Sequence, residues 1–332
     1  MSPIHPYRSL QVPSDAPFKL KPSPGKGWGA FATKQIERGA MILREKPLFV
    51  MQKPPQKITE EDVQTAIQQL APADKQRFLY FFLNASRPFI SLLDAMAENS
   101  FEIYPEGSIL PSYGVFLLSS RFNHSCIPNS KIPSASVETE ETLAIFAARD
   151  ITAGEEITFC YSSDLQCRIR HERHRRLRFI CDCQACLVGT SFQQASDMRR
   201  TLVRGLQYLT LGKDVDGPRQ SSALQIIVDP KLKKAAEEFS ISLSSRLIYY
   251  LLMMFLLEEE GLMDEFRIEI MLPRIQKTLS WFETESNVAI AKLAMAQGTW
   301  FEKFCVAARL HGRRDAADHE VAITLRDLAL NQ

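Results

Sequence analysis

The chain has 332 residues, 45% hydrophobic and 24% charged, enough for one large domain or two ordinary ones with a packed core and a polar surface. Its formal net charge of +1 excludes bulk electrostatic attraction to nucleic acid or an anionic membrane, so charge-driven recognition must be local. The longest apolar run, Leu247 to Leu257, falls far short of the ~20 residues that cross a bilayer.

Residues 1–17 hold four prolines and little apolar pattern, which predicts an extended N-terminal arm. No basic segment followed by an apolar stretch stands there, so no secretory signal is expected and the location is intracellular, nucleus or cytoplasm. In that reducing setting the seven cysteines are thiols or metal ligands rather than a disulfide framework. From Phe18 to Met51 short apolar stretches alternate with Gly and Pro, predicting short strands and turns. After Pro54-Pro55, residues Ile58 to Leu93 read as helical. Thr59 is the expected N-cap, acids follow in the first turn, and Val63, Ile67 and Leu70 share a face. A second strand-rich block runs from about Phe101 to Tyr161, with Leu143, Ile145 and Ala147 alternating before a turn at Ala153-Gly154. Beyond about Gly189 apolar residues recur at helical spacing (Leu202, Leu206, Leu209, then Leu243, Leu247, Tyr250, then Ile290, Leu293, Ala294), predicting an all-helical C-terminal domain. Ala294 to Ala308 faintly resembles one helical-hairpin repeat, and a single unit is not an array.

Four segments carry chemistry. The first is Gly25-Lys26-Gly27-Trp28-Gly29-Ala30-Phe31, where alternate glycines let backbone approach a ligand closely. Taken alone it is equally compatible with a plain strand turn. The others are Arg121-Phe122-Asn123-His124-Ser125-Cys126-Ile127-Pro128-Asn129, Gly154-Glu155-Glu156-Ile157-Thr158-Phe159-Cys160-Tyr161, and Cys181-Asp182-Cys183-Gln184-Ala185-Cys186. Three cysteines within six residues suit a metal. A closed structural site wants four ligands, and a three-Cys site completed by water is the catalytic alternative.

In this order the segments resemble the SET domain of protein lysine methyltransferases, over roughly Phe18 to Leu187, and most closely the SET and MYND subfamily. The double-zinc MYND module itself is missing, since Met51 to Asn99 holds neither Cys nor His. The resemblance implies an α+β SET fold of small β-sheets (residues 18–162) with a helical insert at about 52–98. It further implies a zinc-bound post-SET segment (163–189) and an all-helical, TPR-like C-terminal domain (190–332). It implies S-adenosylmethionine as methyl donor, held by Lys26, Gly27, Trp28, Asn99, Asn123, His124, Tyr161 and Phe179, with Tyr161 beside the methyl-transfer centre. It places one structural zinc on Cys126, Cys181, Cys183 and Cys186. A family tyrosine two residues before Phe179 is here Leu177, which leaves product specificity open. The implied partner is a protein, histone or non-histone, bearing a target lysine, with no nucleic acid or membrane bound directly and a monomeric state. Two alternatives stay open: a SET-fold scaffold that binds cofactor without transfer, and a methyltransferase for an acceptor other than protein lysine.

Elementary chemistry agrees with those roles. Methyl transfer from a sulfonium to an amine is an in-line displacement that needs alignment, a dry channel and a neutral amine. Holding lysine neutral near pH 7 costs about 4 kcal/mol against its pKa near ~10.4, and an apolar channel supplies part of this by desolvating the ammonium. Arg168 to Arg178, with six arginines and two histidines, reads either as a basic surface or, preferably, as the solvated face of a connecting helix with Ile169 and Leu177 turned inward.

Overall fold

The computed structural model describes Tyr7, residues 10–79, 89–103, 111–133, 142–211 and 243–264, Arg267 and Met271. The chain forms two compact units, Met1–Tyr161 and Ser162–Gln332.

Among the described residues, the first unit is built on three small sheets. Strands β1 (Phe18–Ser23) and β2 (Gly27–Ala32) form a hairpin in register from Phe18↔Ala32 to Ser23↔Gly27. Its turn requires Gly25 at φ 72° and Gly27 at φ 77°, backbone that side-chain-bearing residues rarely adopt. Strand β3 spans Met41–Glu45 and β4 spans Phe49–Met51. Helix α1 (Glu60–Gln69) starts as the sequence predicts: the Thr59 hydroxyl accepts from the Asp62 N–H and the Asp62 carboxylate accepts from the Thr59 N–H. Pro72 opens α2 (Pro72–Leu79), a position where its missing N–H is not needed. Helix α3 (Leu92–Asn99) runs directly into β5 (Ser100–Ile103).

Strands β6 (Ser112–Val115), β7 (Asn123–His124), β8 (Ser130–Lys131), β9 (Leu143–Ala147) and β10 (Glu156–Phe159) complete the sheets, in the orders β1-β2-β10-β7, β3-β9-β8 and β4-β6-β5. The β7–β10 pairing is parallel, Thr158↔Asn123 and Phe159↔His124, so two motifs distant in sequence are hydrogen-bonded side by side. Leu143, Ile145 and Ala147 are buried as their alternation predicts, and they join Phe18, Ile42, Phe122 and Ile157 in the main core or its neighbour. The insert helices cover a second core, where Val63, Phe78, Ala95 and Met96 pack with Val115 and Leu117. The N-terminal arm is less free of packing than its prolines suggest. Tyr7 is buried, and Leu10, Val12 and Ala16 pack against these cores.

In the second unit, α4 spans Arg170–Leu177, α5 Ser191–Leu211 and α6 Leu243–Glu259. Helices α5 and α6 enclose Val203, Leu206, Tyr250, Met254 and Leu257 around Cys167. The repeat-like segment Ala294–Ala308 lies outside the described residues, as does Cys305. Among the described residues no helix is long and apolar enough to cross a membrane.

Candidate active site

The residues expected to act together in the first unit are joined by side-chain contacts. Lys26 and Gly27 sit in the hairpin turn, and the following Trp28 is buried. Asn123 donates through Nδ2 to the Trp28 carbonyl at 3.2 Å and to Glu156 Oε1 at 2.7 Å. Glu156 Oε2 lies 3.9 Å from Lys26 Nζ. Gly29 is required between them: a Cβ there would stand 2.3 Å from Glu156 Oε1 and 2.8 Å from Asn123 Nδ2.

His124 is buried behind this pair. Its Nδ1 accepts from the Tyr161 N–H at 3.1 Å, which leaves the ring proton of the neutral form on Nε2, 3.3 Å from Cys126 Sγ. Tyr161 packs its ring on His124 and Phe159, at centroid distances of 5.1 and 4.9 Å. Its hydroxyl donates to the Phe122 carbonyl at 3.2 Å. The residue as a whole is 46% exposed. Burial of that oxygen pushes the phenol pKa up to about 12, against the opposing charge of Arg121.

Asn99 ends α3, with Nδ2 donating to the Ala95 carbonyl at 2.7 Å and Oδ1 accepting from Arg121 Nη2. Arg121 is buried, and its Nη1 donates to the Tyr7 hydroxyl. The turn carrying Arg121 is fixed from below by Glu45, whose carboxylate accepts from the Leu118 N–H (2.8 Å), the Ser119 N–H (2.7 Å) and the Ser119 hydroxyl (2.6 Å). Burial raises the Glu45 pKa, and those hydrogen bonds oppose the rise. Four contributors were given no role by the sequence reading. Glu156 and Arg121 were visible inside their motifs, whereas Glu45 and Tyr7 left no signal of spacing.

Lys26, Gly27, Trp28, Asn99, Asn123, His124 and Tyr161 are thus brought together. Phe179 belongs to the second unit, follows Arg178 at φ 63°, and is 42% exposed.

The cysteine cluster has the donor set of a metal site. The sulfurs of Cys126, Cys181, Cys183 and Cys186 lie within 4.8 Å of one another, and three of these residues are buried. Four thiolates at 2.3 Å from one tetrahedral zinc would stand about 3.8 Å apart, so the cluster fits zinc with a modest contraction. Cys167 takes no part. It is buried, its thiol donates to Gln207 Oε1 at 3.0 Å, and burial raises its pKa to about 11.

The basic run corrects one expectation. Arg175, Arg176 and Arg178 are exposed, but the most deeply buried side chain of α4 is Arg173, and Arg168 is buried just ahead of the helix, while Ile169 and Leu177 are only partly covered. Arg173 donates to the carbonyls of Arg168 (2.7 Å) and Ala185 (2.6 Å) and reaches Cys186 Sγ at 3.3 Å. Arg170 Nε donates to the Cys186 carbonyl at 2.8 Å. The cysteine turn has little apolar content to hold it, so guanidinium donors satisfy its inward carbonyls, with Asp197 balancing Arg173 at 3.2 Å.

Residues 27–162 match the SET domain family model. The chain carries a SET domain. The chain is 43% identical over 76 residues to "Histone-lysine N-methyltransferase SET5" of Meyerozyma guilliermondii, covering 22% of this chain and 15% of that protein. It is 46% identical over 79 residues to "Protein-lysine N-trimethyltransferase SMYD5" of Danio rerio, covering 22% and 19%. A longer match, 30% identical over 188 residues, is to "Histone-lysine N-methyltransferase set5" of Schizosaccharomyces pombe, covering 55% and 54%. The chain therefore spans about half or less of the length of these relatives. The likeness to SET and MYND proteins read from the motifs stands on these matches as well as on the SET domain.

Proposed function

We propose that the protein is an S-adenosylmethionine-dependent protein-lysine N-methyltransferase. The observation that carries this reading is the continuous set of contacts from Lys26–Trp28 through Asn123 and His124 to Tyr161 inside a SET domain. The residues fit an amino-acid-bearing cofactor: Lys26, only partly covered, offers a cation to a carboxylate, beside the aromatic ring of Trp28. When bound, the cofactor supplies a methyl group activated on a sulfonium.

The chain's own residues then have three tasks. Asn99, Asn123 and His124 orient the cofactor, and their side chains are themselves held by Arg121, Glu156 and the Tyr161 backbone. Tyr161 walls the channel with its ring. Its phenol stays neutral well above pH 7, so it acts as a hydrogen-bonding dipole beside the transferred methyl and not as a phenolate base. The apolar walls, Phe159 and Tyr161 among them, desolvate the lysine ammonium and favour the neutral nucleophile. The cysteine cluster, loaded with zinc, holds the post-SET turn in shape and performs no step of the transfer. The acceptor is a lysine of a histone or another protein, in a nuclear or cytoplasmic setting.

The test is calorimetry with S-adenosylmethionine and its demethylated product, followed by transfer of labelled methyl to a mixture of proteins, lysine peptides and free amines. One site per chain with label on protein lysine supports the reading. Binding without transfer leaves a scaffold, label on small amines leaves the other acceptor class, and no binding by folded protein at millimolar cofactor removes the assignment.

A further inference from the structure

Tyr7 lies outside the glycine turn and every signature segment, yet its contacts reach both flanks of the cofactor site. On one side its ring meets Trp28 edge-on, with centroids 5.9 Å apart and planes at 89°. On the other its hydroxyl accepts from Arg121 Nη1, and the guanidinium carbon lies 4.9 Å from the ring centroid. Arg121 passes this constraint on, since its Nη2 donates to Asn99 Oδ1 and its own backbone ends the short turn that leads through Phe122 into Asn123 and His124. Tyr7 is only 2% exposed.

A buried guanidinium is costly unless its donors are met, and a planar fork loses its aim when one acceptor is withdrawn. Edge-to-face aromatic contact likewise fixes the tilt of the partner ring. One side chain therefore orients two others that border the same space. We infer that Tyr7 is a positioning residue for the cofactor site: it braces Trp28 and sets Arg121, and through Arg121 the Asn99 amide. The inference rests on the methyltransferase reading above. It gives the N-terminal arm a part in cofactor affinity although the arm carries no motif.

The full chain is compared with Tyr7→Ala and Tyr7→Phe by calorimetry with S-adenosylhomocysteine, thermal melting, and steady-state kinetics varying cofactor and peptide separately. Tyr7→Ala should weaken product binding and raise the cofactor KM about tenfold, since only part of the loss of a buried hydrogen bond to a charged group and a ring contact is passed on to the cofactor. The peptide KM and the turnover at saturating cofactor should stay near those of the natural chain. Tyr7→Phe keeps the ring on Trp28 and withdraws the acceptor from Arg121, so it should fall between. Unchanged affinity in both variants overturns the inference, as does a fall in kcat matching the loss of folded protein with an unaltered cofactor KM. If Tyr7→Ala does not fold, Tyr7→Phe alone decides, unchanged affinity again being the refuting result. If the natural chain itself binds no product, the methyltransferase reading fails and this inference falls with it, whereas binding by the natural chain confines any failure to Tyr7.

Discussion

At Tyr161 a single oxygen connects environment to chemistry. It donates to the Phe122 carbonyl, and its burial keeps the proton in place to about pH 12. Tyr161→Phe retains the wall and removes the dipole, so turnover should fall on the order of 10²-fold while cofactor affinity measured by calorimetry holds. Equal turnover would mean that Tyr161 only packs. Tyr7 offers a matching test through stability. Its pKa is pushed from 10.0 to about 12, chiefly by burial, so the folded chain binds that proton more tightly than the unfolded chain does. The contribution is complete below pH 10 and is lost as pH rises through about 12. Tyr7→Phe has no proton to lose. Between those limits its unfolding free energy, followed in urea, should decline less steeply with pH than the natural chain's by about one proton equivalent.

Helix α4 and the cysteine turn show what an element's sequence reveals and what it hides. Cys181, Cys183 and Cys186 announce themselves by spacing, and Thr59 with Asp62 announces a helix start, because both depend on neighbours a few residues away. The glycines at 25, 27 and 29 were equally plain. Arg168 and Arg173 were misread because charge pattern alone does not tell which carbonyls the chain will wrap around a guanidinium. Tyr7 and Glu45 were silent for the same reason, their partners lying 73 to 114 residues away. The cysteine turn leads to a further expectation. Cys183→Ser removes one thiolate from a four-sulfur set, so elemental analysis should find less zinc per chain and activity should fall with it. Far-ultraviolet circular dichroism should barely change, because α5 and α6 rest on their own core. Full activity in zinc-free protein would exclude the site.

At the scale of the whole molecule, each unit has its own core and its own weak point. In the second unit Arg200 and Glu260 are both about 1% exposed and lie 2.7 Å apart, with Arg199 on the other carboxylate oxygen at 2.7 Å. Glu260→Ala would strand Arg200 without its counter-charge, a loss of about 3–5 kcal/mol for a buried pair. Thermal unfolding monitored on the second unit should shift down accordingly, and cofactor affinity below the new transition should persist. An unshifted transition would show that water or another acceptor replaces Glu260.

Strands β4 and β5 flank β6, with Met51 opposite Tyr113 and Ser100 opposite Val115. The two ends of the intervening chain are thereby clipped to the flanks of one strand, about 10 Å apart from two inter-strand spacings. Such clipping makes the stretch between them an exchangeable cassette, since doubling the length of a flexible insertion adds only about 0.6 kcal/mol of closure entropy. Outright deletion is a different matter, because it would bare Val115 and Leu117. Any substitute must bring an apolar face for those two residues and keep Asn99 at its exit. Within those terms the position should accept foreign modules, such as a sensor domain or a recruitment tag, while the sheets on either side of the splice keep their pairing.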